Sequence, residues 1–391
     1  MSKSLSPSHL SPPDAPPERW EDESVARAGF LMRARRGLYR RWKLSIGLSI
    51  ILSFYLAAIL ANFIAPYDAS AQSRREPFAP ATTLRFRDAQ GHWHARPFIY
   101  KLRLADPLAR TYAEDASARY PLALFTRGDP YKLFGLFQTD RHLFGVATDA
   151  AARGSANAQR VYLLGTDELG RDRLSRLLSA SRFSLAVGPL GTLFAGLLGV
   201  LIGCVSGYAG RRVDALLMRA ADAMLALPDL VLILAARAAF PIVLPPTRAG
   251  MLLITIFVAI GWAEMARLAR GLVLGLRERE FVLAAVSLGL TEKRILFRHI
   301  LPNAARPLII QLSLMLPAFL LAETALSFLG VGVQDPEASW GNMLTAAGNL
   351  TLLRQQPFTL LSPAIAIFLF VLAVRLLSDG VRSDDDRPRA S

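Results

Sequence analysis

Residues 279–303 read REFVLAAVSLGLTEKRILFRHILPN, and the rest of the chain is interpreted outward from them. In the first half, apolar residues recur with the spacing of one helical face: Phe281, Ala284, Ala285 and Leu288. Gly289 follows, and glycine commonly ends a helix because it adopts a left-handed backbone without steric cost. This half therefore predicts a short amphipathic helix that stops at Gly289.

The second half predicts another short helix. Thr291 suits the N-cap, and Glu292 complements the positive end of a helix. The apolar side of this helix would hold Ile295, Leu296, His299 and Ile300. Pro302 ends this helix or starts the next element. The surrounding basic residues are Arg277, Arg279, Lys293, Arg294, Arg298 and Arg306. Unless this is an ordinary amphipathic surface loop, such an apolar face needs a partner surface.

The flanking sequence is typical of a membrane protein. The chain has 391 residues, is 52% hydrophobic and has a mean hydropathy of +0.32, and several apolar runs are long enough to cross a bilayer. The predicted spans are 44–64, 183–208, 221–244, 249–267, 307–331 and 358–377. The sequence thus predicts an all-α polytopic protein of six transmembrane helices, with 279–303 between the fourth and fifth.

Composition also narrows the chemistry of this chain. The net charge is +14, which on a soluble protein would suggest nucleic acid, but here most Lys and Arg cluster beside the spans. Cys204 is the single cysteine, so an intramolecular disulfide and a cysteine-based metal cluster are excluded. No glycine-rich phosphate loop ending in Gly-Lys-Ser/Thr occurs. If the protein uses ATP, another chain must bind it.

Residues 65–164 carry many charges and predict a small β-containing insert outside the cytosol. The alternating stretch 84–104, with its turn-like 88–91, predicts a β-hairpin, and the aromatic-rich 131–146 is expected to pack on it. His92 and His94 flank Trp93 with strand spacing. Solvent-facing strand histidines are the simpler interpretation, with a metal site as the alternative.

The start of the second span predicts a helix lying at the membrane surface. Residues 165–185 read GTDELGRDRLSRLLSASRFSL, in which Thr166 or Asp167 can cap the helix. Leu174, Leu177 and Leu178 would form an apolar stripe beside Arg171, Arg173, Arg176 and Arg182. Farther along, Gly199, Gly203 and Gly207 place small residues on one face, as close helix packing in lipid favours.

Three stretches resemble the permease subunits of binding-protein-dependent ABC importers, in the dipeptide/oligopeptide/nickel branch. The 165–185 stretch is similar to that branch's GTDxxGRD opening, and 323–332, ETALSFLGVG, to its ExxLSFLGxG segment. The 279–303 stretch resembles the cytosolic motif E-A-A, three residues, G, nine residues, I-x-L-P. Leu283 stands at the motif's glutamate, for which Glu280 is a substitute one turn earlier, and His299 stands at the isoleucine.

The resemblance implies a type I importer permease fold and a non-catalytic membrane subunit. It implies pairing with a second related permease, two ATP-binding subunits and an extracytoplasmic solute-binding protein. ATP and Mg would be used by the ATP-binding subunits, with no cofactor and no metal bound by this chain. The residues assigned to ATPase coupling are Glu280, Ala284, Ala285, Gly289, Arg298, His299, Leu301 and Pro302. The substrate stays open among di- or oligopeptides, nickel, opines and sugars.

Charge sets the expected topology and domain boundaries. Basic residues concentrate before the first span and in 209–220 and 279–303, whereas 245–248 and 332–357 carry only Arg248 and Arg354. Both termini are therefore expected in the cytosol of a bacterial inner-membrane protein. The predicted parts are a tail 1–43, a helix 44–64, the insert 65–164, a five-helix domain 165–380 and a tail 381–391.

Charged residues within the spans leave two interpretations open. Asp229, Arg237 and Glu323 would be costly facing lipid, so they line a translocation path or pair helices. Trp340 is expected to anchor at the membrane interface. An ATP-independent secondary transporter or channel, which would use the membrane acids for ion coupling, is the main alternative function. A sensor domain anchored by the spans is a further one.

Overall fold

The computed structural model describes residues 42–106, 110–133, 135–147, 159–208 and 210–382. Most of both predicted tails lies outside these ranges. The helices of the first part are α1 (Trp42–Ile59), α2 (Ala61–Ile64), α3 (Arg173–Tyr208), α4 (Arg211–Leu225), α5 (Asp229–Ala238) and α6 (Pro246–Arg277). Those that follow are α7 (Glu280–Ser287), α8 (Glu292–Ile295), α9 (Leu301–Phe328), α10 (Trp340–Met343), α11 (Leu350–Gln355) and α12 (Pro357–Arg382).

Five helical runs in the described ranges are long and apolar enough to cross a membrane. They are α1, α3, α6, the run Glu292–Phe328 that contains α9, and Pro357–Gly380 within α12. The segment predicted as the third span, 221–244, is not one continuous helix. It is divided between α4 and α5, because Pro228 cannot donate a backbone N–H and disfavours helical backbone in the residue before it.

The close approach of α3 and α6 organises the membrane core, as the glycine spacing predicts. A Cβ on Gly199 would lie 2.6 Å from the Trp262 carbonyl oxygen, and one on Gly203 would lie 2.5 Å from the Ala266 oxygen. A Cβ on Gly207 would meet Cγ1 of Val273 at 2.6 Å. Any side chain at these positions would therefore push the two helices apart.

The insert forms a four-stranded antiparallel sheet in chain order. Its strands are β1 (Arg85–Arg87), β2 (Trp93–Asp106), β3 (Thr111–Leu133) and β4 (Phe137–Val146). The predicted hairpin is confirmed by the pairing of β1 with β2. The expectation that 131–146 packs on the hairpin is confirmed at its C-terminal end, where Phe144 and Val146 form a buried cluster with Ile99 of β2. Strand β4 also pairs with β3, with Leu122 opposite Val146, and so extends the sheet through backbone hydrogen bonds.

The two histidines that flank Trp93 differ in their surroundings. His92 is largely exposed, whereas Nε2 of His94 lies 3.0 Å from Oδ2 of Asp88, which Arg119 also contacts at 2.9 Å. The hydrogen bond with His94 is the main reason that the pKa of the Asp88 carboxyl is lowered to about 2. Within the described residues, no group of three His, Cys, Asp or Glu side chains could hold a metal ion.

The start of α3 is a buried junction and not the surface helix that its leucine stripe predicts. Arg171, Arg173 and Arg176 are 3%, 2% and 4% exposed. Arg171 and Arg176 share the carboxylates of Asp167 and Asp335. Because Asp335 and its loop cover the arginines, these charged side chains lie inside and are paired.

Two further expectations at this junction are corrected. The N-terminus of α3 is capped by Asp172 and not by Thr166 or Asp167, since Oδ2 of Asp172 accepts the backbone N–H of Ser175 at 2.8 Å. Trp340 is no interface anchor. Its side chain is buried between helices, and its indole N–H donates to the Leu177 carbonyl oxygen at 3.3 Å.

Candidate functional site: the loop between α6 and α9

The short helix α7 ends as its sequence predicts. Gly289 has φ +75°, the left-handed backbone that favours glycine. Its N–H donates to the Val286 carbonyl oxygen at 2.8 Å, and the Leu290 N–H donates to the Ala285 oxygen at 3.2 Å. These bonds satisfy carbonyls at the helix end and turn the chain back toward α9.

The two faces of α7 differ from the predicted ones. Val282 and Ala285 are buried, in a cluster with Cys204 of α3 and Val273 of α6. Phe281, Ala284 and Leu288, which sequence spacing places with Ala285, point outward. The helix is therefore rotated so that one motif alanine packs inward and the other is exposed. The helical period is right, but it does not say which side of a nearly all-apolar helix meets the membrane core.

The outward surface of this loop is unusually apolar. Five large apolar side chains are exposed there, and Leu288 is 81% accessible. They are Phe281, Leu283, Val286, Leu288 and Phe297, and we call them the loop's apolar surface. Leu283, at the position of the motif's glutamate, thus adds apolar area to this surface. Exposed apolar patches of this kind mark interaction sites.

The second predicted short helix is the first part of the next membrane helix. Glu292–Ile295 is α-helical, Leu296–Ile300 is a π-helical turn, and α9 continues from Leu301 without a break. Pro302 therefore neither ends the second helix nor begins a separate one, since it lies in a continuous helical run directly after the π-helical turn. Thr291 occupies the N-cap position, although its hydroxyl makes no capping hydrogen bond.

The remaining predicted coupling residues lie on the same loop. Glu280 is exposed in the first turn of α7, and Arg298 is exposed on the π-helical turn. His299 and Leu301 are half-buried, and Pro302 is exposed. Thus Glu280, Ala284, Arg298 and Pro302 are accessible to a partner, whereas Ala285 supports the loop from inside.

The three charged residues predicted within spans have different surroundings. Arg237 is buried and donates to the carbonyl oxygens of Phe240, Pro241 and Ile242 in the loop that follows α5. Glu323 is buried and accepts a hydrogen bond from Ser327 at 2.8 Å. Arg237 therefore fixes the loop after α5, and Glu323 is hydrogen-bonded within α9.

Asp229 lies apart from the other two charged residues. It lines a cavity of ≈ 190 Å³ together with Glu264 of α6 and Gln311 of α9. The sequence pattern does not group Glu264 or Gln311 with Asp229. Because these residues come from three separate helices, only the tertiary fold brings them together.

Comparison with known proteins identifies the family of this chain. The model of the binding-protein-dependent transport system inner membrane component matches residues 199–383, and that of the N-terminal TM domain of oligopeptide transport permease C matches 29–81. A peptide permease protein of Brucella suis biovar 1 (strain 1330) is 36% identical over 271 residues, covering 66% of this chain and 87% of that protein.

The chain belongs to the binding-protein-dependent transport permease family. It is thus the permease subunit of an ABC importer, as the sequence motifs predict, and the alternatives of an ATP-independent transporter or an anchored sensor are not supported. A membrane-spanning permease also agrees with the five long apolar helices.

Other relatives in this permease family carry more specific names. The oligopeptide transport system permease protein OppC of Bacillus subtilis (strain 168) is 38% identical over 222 residues, covering 56% of this chain and 70% of OppC. A solved structure of the methionine ABC transporter MetNI in inward-facing conformations matches with 15% identity and a TM-score of 0.40, covering 52% of this chain and 95% of that chain.

Proposed function

We propose that this permease carries peptides across the bacterial inner membrane as one half of a translocation path. A second related permease forms the other half, two ATP-binding subunits drive it, and an extracytoplasmic binding protein delivers the substrate. The names of the relatives, which are peptide permeases, support peptides as the substrate class. This chain contributes no catalytic residue, and ATP and Mg are bound by its partners.

The observation that carries the coupling role is the loop's apolar surface. Exposed Phe281, Leu288 and Phe297 lie between two helices that are long enough to span the membrane. Water does not suit an apolar surface on a loop rich in cations, whereas a groove in a protein partner does. We infer that an ATP-binding subunit covers this surface and holds the loop through it.

The proposed mechanism is alternating access. Closure of the ATP-binding subunits moves α7 and the start of α9, and this motion opens the path toward the binding protein. The buried contacts of Val282 and Ala285 support transmission of the motion to α3 and α6. Asp229 lies on the proposed path, whereas Arg237 fixes the loop after α5 and Glu323 is hydrogen-bonded within α9. Basic residues flanking the loop support a cytosolic position for it and for both termini, with α4 and α5 together making the sixth crossing.

Two leucines that are almost equally exposed, one on the loop and one on the sheet, allow a test of this proposal. Leu288 is 81% exposed on the loop, and Leu136 is 79% exposed on the turn between β3 and β4. We expect Leu288→Asp to abolish co-purification of the ATP-binding subunits and ATP-dependent peptide uptake, because a charge cannot enter an apolar groove without cost. Leu136→Asp should leave co-purification unchanged. Normal assembly and uptake in the Leu288 variant would refute the docking role.

A further inference from the structure

A single carboxylate joins the ends of α3, α4 and α6 that lie beside the loop. Oδ1 of Asp214 on α4 accepts hydrogen bonds from Oγ of Ser206 on α3 and Nε of Arg270 on α6, both at 2.5 Å. Oδ2 accepts from Nη2 of Arg270 at 2.6 Å. The guanidinium thus binds the carboxylate through two parallel bonds, which fixes orientation as well as distance. We call Ser206, Asp214 and Arg270 the brace.

A second arginine continues the connection from the brace to the loop. Two turns along α6, Nη1 of Arg277 donates to the Gly207 carbonyl oxygen at 2.7 Å. Its guanidinium also lies 5.1 Å from the centre of the Tyr208 ring. Helix α7 begins at Glu280, immediately after α6, and its inward face packs on Cys204 of α3. The loop and the brace are therefore consecutive parts of one contact surface.

We propose that the brace positions α4 and the end of α3 so that motion of α7 moves them together with α6. The inference rests on the proposed coupling function and extends it to residues outside the loop. Packing at Val282 and Ala285 connects α7 to α3, α6 and the helical run that leads into α9, whereas Asp214 adds α4. Without the brace, α4 could stay in place while the loop moved, and ATP would be hydrolysed with less transport.

The chain contains a matched control on the same two helices. Asp222 of α4 and Arg267 of α6 also form an ion pair, but through one contact of 3.6 Å with side chains 62% and 56% exposed. The corresponding side chains of Asp214 and Arg270 are 22% and 32% exposed. Because exposed single-contact pairs contribute little, this second pair should not transmit motion. Both ion pairs join α4 to α6, and they differ only in burial and in contact geometry.

The test compares Asp214→Asn with Asp222→Asn in the complete transporter reconstituted in vesicles. The readout is peptide transported per ATP hydrolysed, measured beside subunit co-purification and the apparent unfolding temperature. We expect Asp214→Asn to lower this ratio about tenfold, within the range of coupling between sites, while assembly and basal ATP hydrolysis persist. Asp222→Asn should stay close to the unmodified protein.

A conservative change keeps the test decisive if Asp214→Asn does not fold. Arg270→Lys preserves the charge but not the double contact, and it should also lower the ratio. An unchanged ratio in an assembled variant of either brace residue would overturn the inference. Loss of assembly in the unmodified transporter, or transport without ATP hydrolysis, would instead contradict the proposed function itself.

Discussion

Two arginine-rich regions of this permease look alike in sequence and differ in the fold. At the start of α3, Arg171, Arg173 and Arg176 are buried and hydrogen-bonded. On the loop after α6, Arg279, Arg294 and Arg298 are exposed. The cause is the supply of acceptors. Asp167 and Asp335 pair with Arg171 and Arg176, and the Thr359 carbonyl oxygen accepts from Arg173. Ion pairs with the second group are not found within the described residues.

This difference separates a region that supports the fold from one that is free to bind a partner. The junction at α3 buries its charges against its own carboxylates, so its contacts are complete within the chain. The loop leaves apolar side chains exposed among cations, so its contacts require a second protein. Substitutions in the first region should therefore lower stability, and substitutions on the outward surface of the second should lower assembly and leave stability unchanged.

The largest stability effect should follow from Asp167→Ala. Removing this carboxylate leaves Arg171 and Arg176 buried with fewer partners, and breaking a buried ion pair costs about 3–5 kcal/mol. Neighbouring Glu168 is exposed, so Glu168→Ala should cost less than about 0.5 kcal/mol. Thermal unfolding in detergent measures both variants. Equal unfolding temperatures would show that the buried network does not stabilise the fold.

A smaller, pH-dependent effect should come from Asp172 at the same junction. Burial raises the pKa of its carboxyl from 3.8 to about 6, against the opposing hydrogen bonds from Ser175. Between these values the folded protein binds more protons than the unfolded chain, so Asp172 lowers stability as pH rises toward and through 6. A shift of about two units corresponds to at most about 3 kcal/mol.

Asp172→Asn removes this titration and keeps a good N-cap side chain. The unfolding temperature of the variant minus that of the unmodified protein should therefore be larger at pH 8 than at pH 5. Glu168→Gln, a change of the same kind at an exposed position, serves as the control. The expectation fails if the difference in unfolding temperature for Asp172→Asn is the same at both pH values.

The smallest effect should come from Gly289→Ala. At φ +75°, alanine pays for the left-handed backbone with about 1–2 kcal/mol, although no atom lies within 4 Å of the added Cβ. Gly275 also has open space around its Cβ position but lies within helix α6, so Gly275→Ala should stabilise slightly. Hydrogen exchange of 285–290 should rise only in the Gly289 variant. Equal exchange in the two variants would contradict the strain argument.

Local signals in the sequence predict much of this structure. Long apolar runs mark the spans, the 88–91 turn marks the first hairpin, and Gly289 marks the end of α7, because each depends on residues close in the chain. The division of the predicted third span at Pro228 was also visible as a proline inside an apolar run. The family motifs then identify the loop, although they do not say which of its side chains are exposed.

What the sequence could not provide depends on distant partners. Arg171 is buried because Asp335, 164 residues later, reaches it. The orientation of α7 follows from Cys204 and Val273 on two other helices, and the helical period alone cannot distinguish Ala284 from Ala285. The same limit applies to the brace, in which Asp214 and Arg270 are 56 residues apart.

The most direct test of the central claim is the accessibility of a thiol at Leu288. The chain has one cysteine, the buried Cys204, so Leu288→Cys supplies the accessible thiol on the loop, and Leu136→Cys supplies its counterpart on the sheet. In right-side-out vesicles, a membrane-impermeant maleimide should label Leu136→Cys and not Leu288→Cys. In inside-out vesicles it should label Leu288→Cys only when the ATP-binding subunits are absent. Labelling of Leu288→Cys from the outside, or labelling that is unaffected by those subunits, would contradict the account.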